Sequence, residues 1–247
     1  MTSFKPKFTI YFLAFMQKYQ HLFFDLDHTL WDFERNAAES IKLLYDHFEL
    51  KSHGIESDTQ FYETFSVINK NLWQQLDNKQ ITHQDLRTRR FRESLQPLGF
   101  VVDEPTSLAM NQFFLEALPI GKHLIEGTLP TLNYLAEKYE LHLVTNGYFE
   151  MQTLKMRSSG IEHFFKTLTT NDNAGVLKPD RGIFQYALDH SSAKLENSLM
   201  IGDNFESDVL GALNFGMDVV FYNPEGIETH EKPTFNIQKI TELTTIL

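Results

Sequence analysis

The hydrophobic pattern of this chain changes character twice. A short apolar run, "HLFFDL" at 21–26, ends on an acid and reads as a buried strand. From Asn36 to about Leu50 the pattern turns helical, with Ala37, Ile41, Leu44 and Phe48 recurring on one face. Further helices are predicted over about 58–77, 82–97 and 104–118, separated by "KSHGIES", "PLGFVVDE" and "PIGKH". No strand pattern interrupts residues 34–122.

Beyond that block, strands and helices alternate. "GTLPTLNYLAEKY" reads as a helix, "LHLVTNG" as a strand, residues 148–158 as a helix and "FKTLTT" as a strand. The helix "DRGIFQYALDHS", the strand "SLMIGDN", the helix "ESDVLGALNFG" ended by Gly216, and the strand "DVVFYN" follow; "NIQKITELTTIL" reads as a last helix. Such alternation implies a parallel sheet covered on both faces. The prediction is an α/β fold, with a Rossmann-like parallel-sheet core at 16–33 and 120–247 and an inserted all-helical cap at 34–119. There is no internal repeat or low-complexity segment.

Composition narrows the function. The 247 residues are 42% apolar, enough for a substantial core, and the net charge of −11 with no long basic run argues against a nucleic-acid polymer or an anionic membrane as partner. With no cysteine, disulfides, zinc–thiolate sites and thiol nucleophiles are excluded, and a reducing cytoplasm fits. The opening "FKPKFTIYFLAF" is too short to span a bilayer and lacks a small-x-small cleavage site. Met16 stands directly before "QKYQHLFFDLD", so translation is expected to start there, with residues 1–15 an upstream extension.

The candidate chemistry lies at predicted strand ends. Asp25 and Asp27, Thr145 and Asn146, and Asp203 all fall at carboxyl ends of strands, which border one crevice in an open parallel sheet. Asp25, Asp27, Asp203 and Asp208 together would repel one another without a counter-charge. A divalent cation with oxygen preference, Mg²⁺, answers this, and Lys178 in "GVLKPD" can add a second positive charge, aimed by Pro179. Thr145, Asn146 and the flexible Gly147 form a turn of donors suited to a tetrahedral anion. A metal, a lysine and a donor turn around a free carboxylate together describe phosphoryl transfer to an aspartate. That chemistry needs one acid ionised on the metal and its neighbour with a raised pKa, ready to deliver a proton.

"DLDHT", "LVTNG", "LKP" and "IGDNFESD" resemble the four ordered motifs of the haloacid dehalogenase (HAD) superfamily, over residues 21 to about 223, and the helical insertion resembles its C1-type cap. "LWDF…NAAESI", "TNG", "LKPDRGIFQYAL" and "ESDVLGALNFGM" are similar, more narrowly, to its pyrimidine 5′-nucleotidases that clear noncanonical nucleotides. The resemblance implies a Mg²⁺-dependent phosphatase whose substrate is a small phosphorylated metabolite, a pyrimidine nucleotide. Asp25 would be the nucleophile and Asp27 the acid and then base, while Thr145, Asn146 and Lys178 would hold the phosphoryl group. Mg²⁺ would take a carboxylate oxygen of Asp25, the main-chain carbonyl of Asp27, and Asp203. Asp208 would orient Lys178 or a water on the metal, unless it only caps the following helix. Dehalogenases of the superfamily lack the second acid, so Asp27 speaks against dehalogenation. Another small ester (phosphoglycolate or a sugar phosphate), a phosphomutase reaction, or a non-catalytic protein on the same fold are the competing readings.

Other residues get plainer expectations. His28 is read as a variable motif position. Trp31, Phe33, Trp73 and Tyr148 could stack on a base but are expected to pack between core and cap. "RTRRFR" at 87–92 is expected to be a solvated face or a cap surface near the substrate. Where relatives carry Ser-Glu-Glu this chain has Asn171, Asp172 and Asn173, which puts only fine positioning in doubt.

Overall fold

The computed structural model describes residues 18–247. The expected extension at 1–15 and the start at Met16 lie outside the described residues. Two compact units form: Phe33–His123 is one, and Leu124–Leu247 joins the described residues up to Asp32 in the other. Among the described residues, no helix is long and apolar enough to cross a membrane.

The discontinuous unit is built on six strands: β1 His21–Phe24, β2 Glu140–Thr145, β3 Phe165–Thr170, β4 Ser198–Gly202, β5 Asp218–Tyr222 and β6 Phe235–Ile237. Their order is β3-β2-β1-β4-β5-β6, and every pairing is parallel. Consecutive residues on central strands are buried, Leu22, Phe23 and Phe24 on β1 and Leu199, Met200 and Ile201 on β4. Only a sheet covered on both faces buries them all, so these strands read as continuous apolar runs. Phe23, Val144 and Met200 pack against Ile183, Phe184 and Leu188 of the helix Arg181–Ser191 and against Val209 and Ala212. Burying each of the larger of these side chains contributes about 1.5–3 kcal/mol, which fixes the strand ends relative to one another.

The last predicted helix is partly a strand. β6 pairs with β5 through Val220–Phe235 and Tyr222–Ile237, and the Asn223 N–H donates to the Ile237 carbonyl at 2.7 Å. An exposed edge on β5 would leave a row of unpaired backbone groups, and the segment covers it. Helix is reduced to a 3₁₀ turn at Ile240–Glu242 and to Leu243–Ile246, started where Glu242 accepts the Lys239 N–H at 2.8 Å. The segment "ESDVLGALNFG" also departs from a plain α-helix, opening as a π-helical turn over Phe205–Leu210.

The unit Phe33–His123 is helical, with helices Phe33–His47, Asp58–Asp77, His83–Leu95 and Glu104–Ala117. Ser57, Thr82 and Asp103 cap the last three with side-chain oxygens. Its core is aromatic: the Phe65 ring lies 5.0 Å from Phe114 and 5.6 Å from Phe91. The arginine cluster, expected as a solvated face or a cap surface near the substrate, is not uniformly solvated. Arg90 is 3% exposed, donates to Asn111 Oδ1 at 3.2 Å and lies 5.5 Å from the Phe114 ring centroid. Helical period decides this, because Leu86, Arg90, Phe91 and Ser94 share the inward face, whereas Arg89 pairs with Glu93 one turn on at 2.6 Å.

His142 on β2 gives a pH-dependent stability. It is 1% exposed, stacked on Phe23 at 4.7 Å, with one ring nitrogen 3.1 Å from His21 and the other 2.9 Å from Thr167 Oγ1. Burial, helped by His21, His190 and Lys166, pushes its pKa down to about 4. The folded form therefore holds a neutral ring that the unfolded chain protonates first. This contribution is complete above the ordinary histidine value and lost as pH falls toward 4, at about 3 kcal/mol. Urea midpoints at pH 7 and 4.5 are expected to differ less for His142→Gln than for the parent; equal differences would refute the assignment.

Candidate active site

β1 ends at Phe24 and hands Asp25 to a tight loop. The Leu30 and Trp31 N–H groups both donate to the Leu26 carbonyl, at 3.0 and 2.9 Å, and the His28 N–H donates to the Trp31 carbonyl at 2.9 Å. His28 takes φ of 62°, a left-handed conformation unusual for a residue with a side chain. The position read as variable is thus conformationally demanding.

Lys178 is the hub. Its amine, 2% exposed, donates to Asp25 Oδ1 at 2.5 Å and to Asp208 Oδ1 at 2.6 Å. The Asn146 side chain brackets the Lys178 backbone, accepting its N–H at 2.7 Å and donating to its carbonyl at 3.0 Å. Asn146 is expected to hold phosphoryl oxygens; its side-chain amide also holds the lysine in place. Asp203, at the end of β4, accepts from Thr29 Oγ1 at 2.9 Å. Asp208 Oδ2 accepts the Asn204 N–H at 3.0 Å, and its carboxylate lies so close over Gly202 that a side-chain carbon there would overlap it. Among the described residues, Asp25, Asp203 and Asp208 each bring one carboxylate oxygen within 4.8 Å of the others.

Three carboxylates face one ammonium, and their proton affinities show it. Burial raises Asp25 well above the usual carboxylate range; Lys178 pulls it back, and Asp208 and Asp203 push it further up. Burial, then Asp208, pushes Asp203 up to about 6. Lys178 sits above the ordinary lysine value, because Asp208 and Asp25 outweigh the opposing effect of burial. Surplus negative charge on an all-oxygen donor set fits a hard divalent cation such as Mg²⁺.

Asp27 is held differently from the sequence expectation. Burial alone would raise its pKa, but Lys155 donates to both of its oxygens at 2.7 and 2.8 Å and Gln152 donates to Oδ2 at 3.0 Å, so it lies below the usual range. Without a metal or substrate charge, the ordering of the two acids is therefore the reverse of the one anticipated. Thr145, the last residue of β2, is buried; its Oγ1 accepts from Gln152 Nε2 at 2.7 Å and from the Gly147 N–H at 3.2 Å.

Thr29, Gln152 and Lys155 were not singled out from the sequence. The helix Phe149–Ser158 carries a faint signal, since Gln152 and Lys155 fall one turn apart just after the "TNG" turn. The unusual loop 171–173 has local work: Asp172 accepts the Phe149 N–H at 2.7 Å, capping that helix, and Asn173 accepts the Thr170 N–H at 2.7 Å. Trp31 is fully buried beneath Lys155, and Trp73 packs edge-on to His83, 6.5 Å between centroids.

A parallel sheet whose strand ends gather aspartates around a buried lysine, with a helical unit inserted after its first strand, defines a class of hydrolases with an aspartate-lined site. A model of haloacid dehalogenase-like hydrolases matches residues 19–216, and the chain belongs to that family. Among curated relatives, the pyrimidine 5′-nucleotidase PynA of Streptococcus pneumoniae is 33% identical over 91% of this chain and 93% of its own. The pyrimidine 5′-nucleotidase YjjG of Escherichia coli is 28% identical over 93% and 98%. A crystal structure of the HAD-hydrolase YfnB of Bacillus subtilis bound to magnesium superposes with a TM-score of 0.83 at 28% identity, covering 93% of this chain and 98% of that one.

Proposed function

We propose that this hydrolase is a Mg²⁺-dependent phosphatase that releases phosphate from pyrimidine nucleoside monophosphates through an aspartyl-phosphate at Asp25. The observation that carries the reading is the Lys178 amine seated on both Asp25 and Asp208. It opposes the burial that disfavours the nucleophile's charge and can offset the charge of an arriving phosphate. The choice of pyrimidine nucleotides draws support from the names of PynA and YjjG.

An Asp25 oxygen attacks phosphorus as the ester P–O bond breaks, and the departing sugar oxygen takes a proton from Asp27, which the negative charge of the arriving phosphate first returns toward its protonated form against the pull of Lys155. Water then attacks the aspartyl-phosphate, Asp27 accepts its proton, and the Asp25–phosphorus bond breaks to regenerate the free carboxylate. The Thr145 hydroxyl and the Lys178 amine hold the phosphoryl oxygens, and Asn146 keeps Lys178 in line. Asp25, Asp203 and the main-chain carbonyl of Asp27 would hold Mg²⁺, which when bound supplies charge neutralisation for the transferring group.

A panel of phosphorylated metabolites, assayed for phosphate release with Mg²⁺ and with EDTA, tests this. UMP and dUMP are expected to rank first and to require Mg²⁺. Pyrimidine nucleotides ranking last would point to another phosphate ester, and no hydrolysis even of an aryl phosphate would point to a binding protein.

A further inference from the structure

We infer that Lys155 and Gln152 are positioning residues for the proton-transfer step, aiming the Asp27 carboxyl; this rests on the phosphatase reading above. Three observations converge on them. The first is contact: Lys155 grips both Asp27 oxygens, and Gln152 Nε2 joins Asp27 to Thr145 Oγ1. One turn of one helix thus ties the acid–base residue to the phosphate-side hydroxyl.

The second is inverted burial. The helix Phe149–Ser158 leaves Phe149 and Leu154 44% and 47% exposed, while Gln152 is 0% and Lys155 4% exposed. A helix placed for stability turns its apolar stripe inward, and this one turns an amide and an ammonium inward beside Met156 while two large apolar side chains stay outside. The third is an unmet cost. Among the described residues, Gln152 Oε1 is buried with no hydrogen-bond partner, a cost tolerated where Nε2 is aimed at the acid. Gly147 is part of the same arrangement, since a side-chain carbon there would overlap the Gln152 amide. Lys155 is further confined by the Trp31 ring, 4.7 Å from its amine.

If these residues act through Asp27, their loss must depend on the leaving group. A sugar alkoxide cannot depart without a proton, whereas 4-nitrophenolate can. kcat/KM covers the steps up to that departure, so it isolates Asp27 as acid from its later role as base. Lys155→Met is expected to lower kcat/KM for UMP about 100-fold, with a loss at least about tenfold smaller on 4-nitrophenyl phosphate. Lys155→Arg should recover most of the difference, and Lys155→Met added to Asp27→Asn should cost nothing more.

Equal losses on both esters, or additive losses in the double variant, would reduce the pair to a packing contact. Gln152→Met, which adds no charge, carries the same comparison if Lys155→Met does not fold. Asp25→Asn, run alongside, separates the two ideas. Activity surviving there overturns the aspartyl-phosphate route through Asp25, whereas an inactive Asp25→Asn with undiscriminating Lys155 and Gln152 variants overturns only the positioning role.

Discussion

Asp25→Asn is expected to lower phosphate release on the order of 10⁴-fold or more, while the metal-free protein melts no lower than the parent. The first half follows from chemistry, because an amide cannot take the phosphoryl group and then release it to water. The second follows from electrostatics. Burial and the neighbouring Asp208 and Asp203 already disfavour the Asp25 charge, so a neutral side chain of the same shape removes a repulsion. The ion pair lost with it is only one of the two that Lys178 makes. Mg²⁺ should raise the melting temperature of the parent and do so much less in the variant, which has lost a ligand. Thermal melts with and without Mg²⁺, beside phosphate-release rates, make the check; a variant that is inactive because it unfolds would leave the electrostatic account wrong.

The site was legible where its chemistry sits at a strand end. Asp25, Thr145 and Asp203 each terminate or follow an apolar run, and a parallel sheet brings such ends together whatever the sequence between them. Lys178 was legible for a different reason: a crowd of acids demands a cation, and the chain offers one beside a proline. Lys155 was not, because its meaning depends on which way a short helix faces. Its stretch "FEMQTLKMRS" contains apolar residues at positions that could equally be read as the inner stripe. Nothing local says that Leu154 is outside and Lys155 inside; the Asp27 carboxylate and the Trp31 ring decide it, more than a hundred residues away. Asn146 has a side-chain role that the sequence did not show. Its residue type suits an anion, and only the three-dimensional proximity of the Lys178 backbone shows that the amide is engaged there. The edge strand Phe235–Ile237 was hidden for the same reason, since three residues have too little periodicity to announce themselves and the open side of β5 recruits them.

Lys178→Met should produce the largest loss of stability of any single change in the site. The ammonium is buried with Asp25 and Asp208, and removing one partner of such a pair costs about 3–5 kcal/mol because the other charges remain buried. Here two carboxylates lose their cation together, with Asp203 close by. Part of the cost can be relieved by protonation, since Asp25 and Asp203 are already raised toward their neutral forms. Groups whose folded pKa lies above the unfolded value support the fold at low pH and cease to do so as pH rises through the folded value. The gap between variant and parent should therefore be narrow near pH 5 and widen toward pH 8. Mg²⁺ offers a second source of positive charge, so it should raise the melting temperature of the variant more than that of the parent. It should not restore phosphate release, because the amine that holds the phosphoryl oxygens is gone. Unfolding curves at pH 5 and pH 8, with EDTA or with Mg²⁺, separate these terms. A variant as stable as the parent at pH 8 without metal would mean that the carboxylate cluster carries far less charge than its geometry requires.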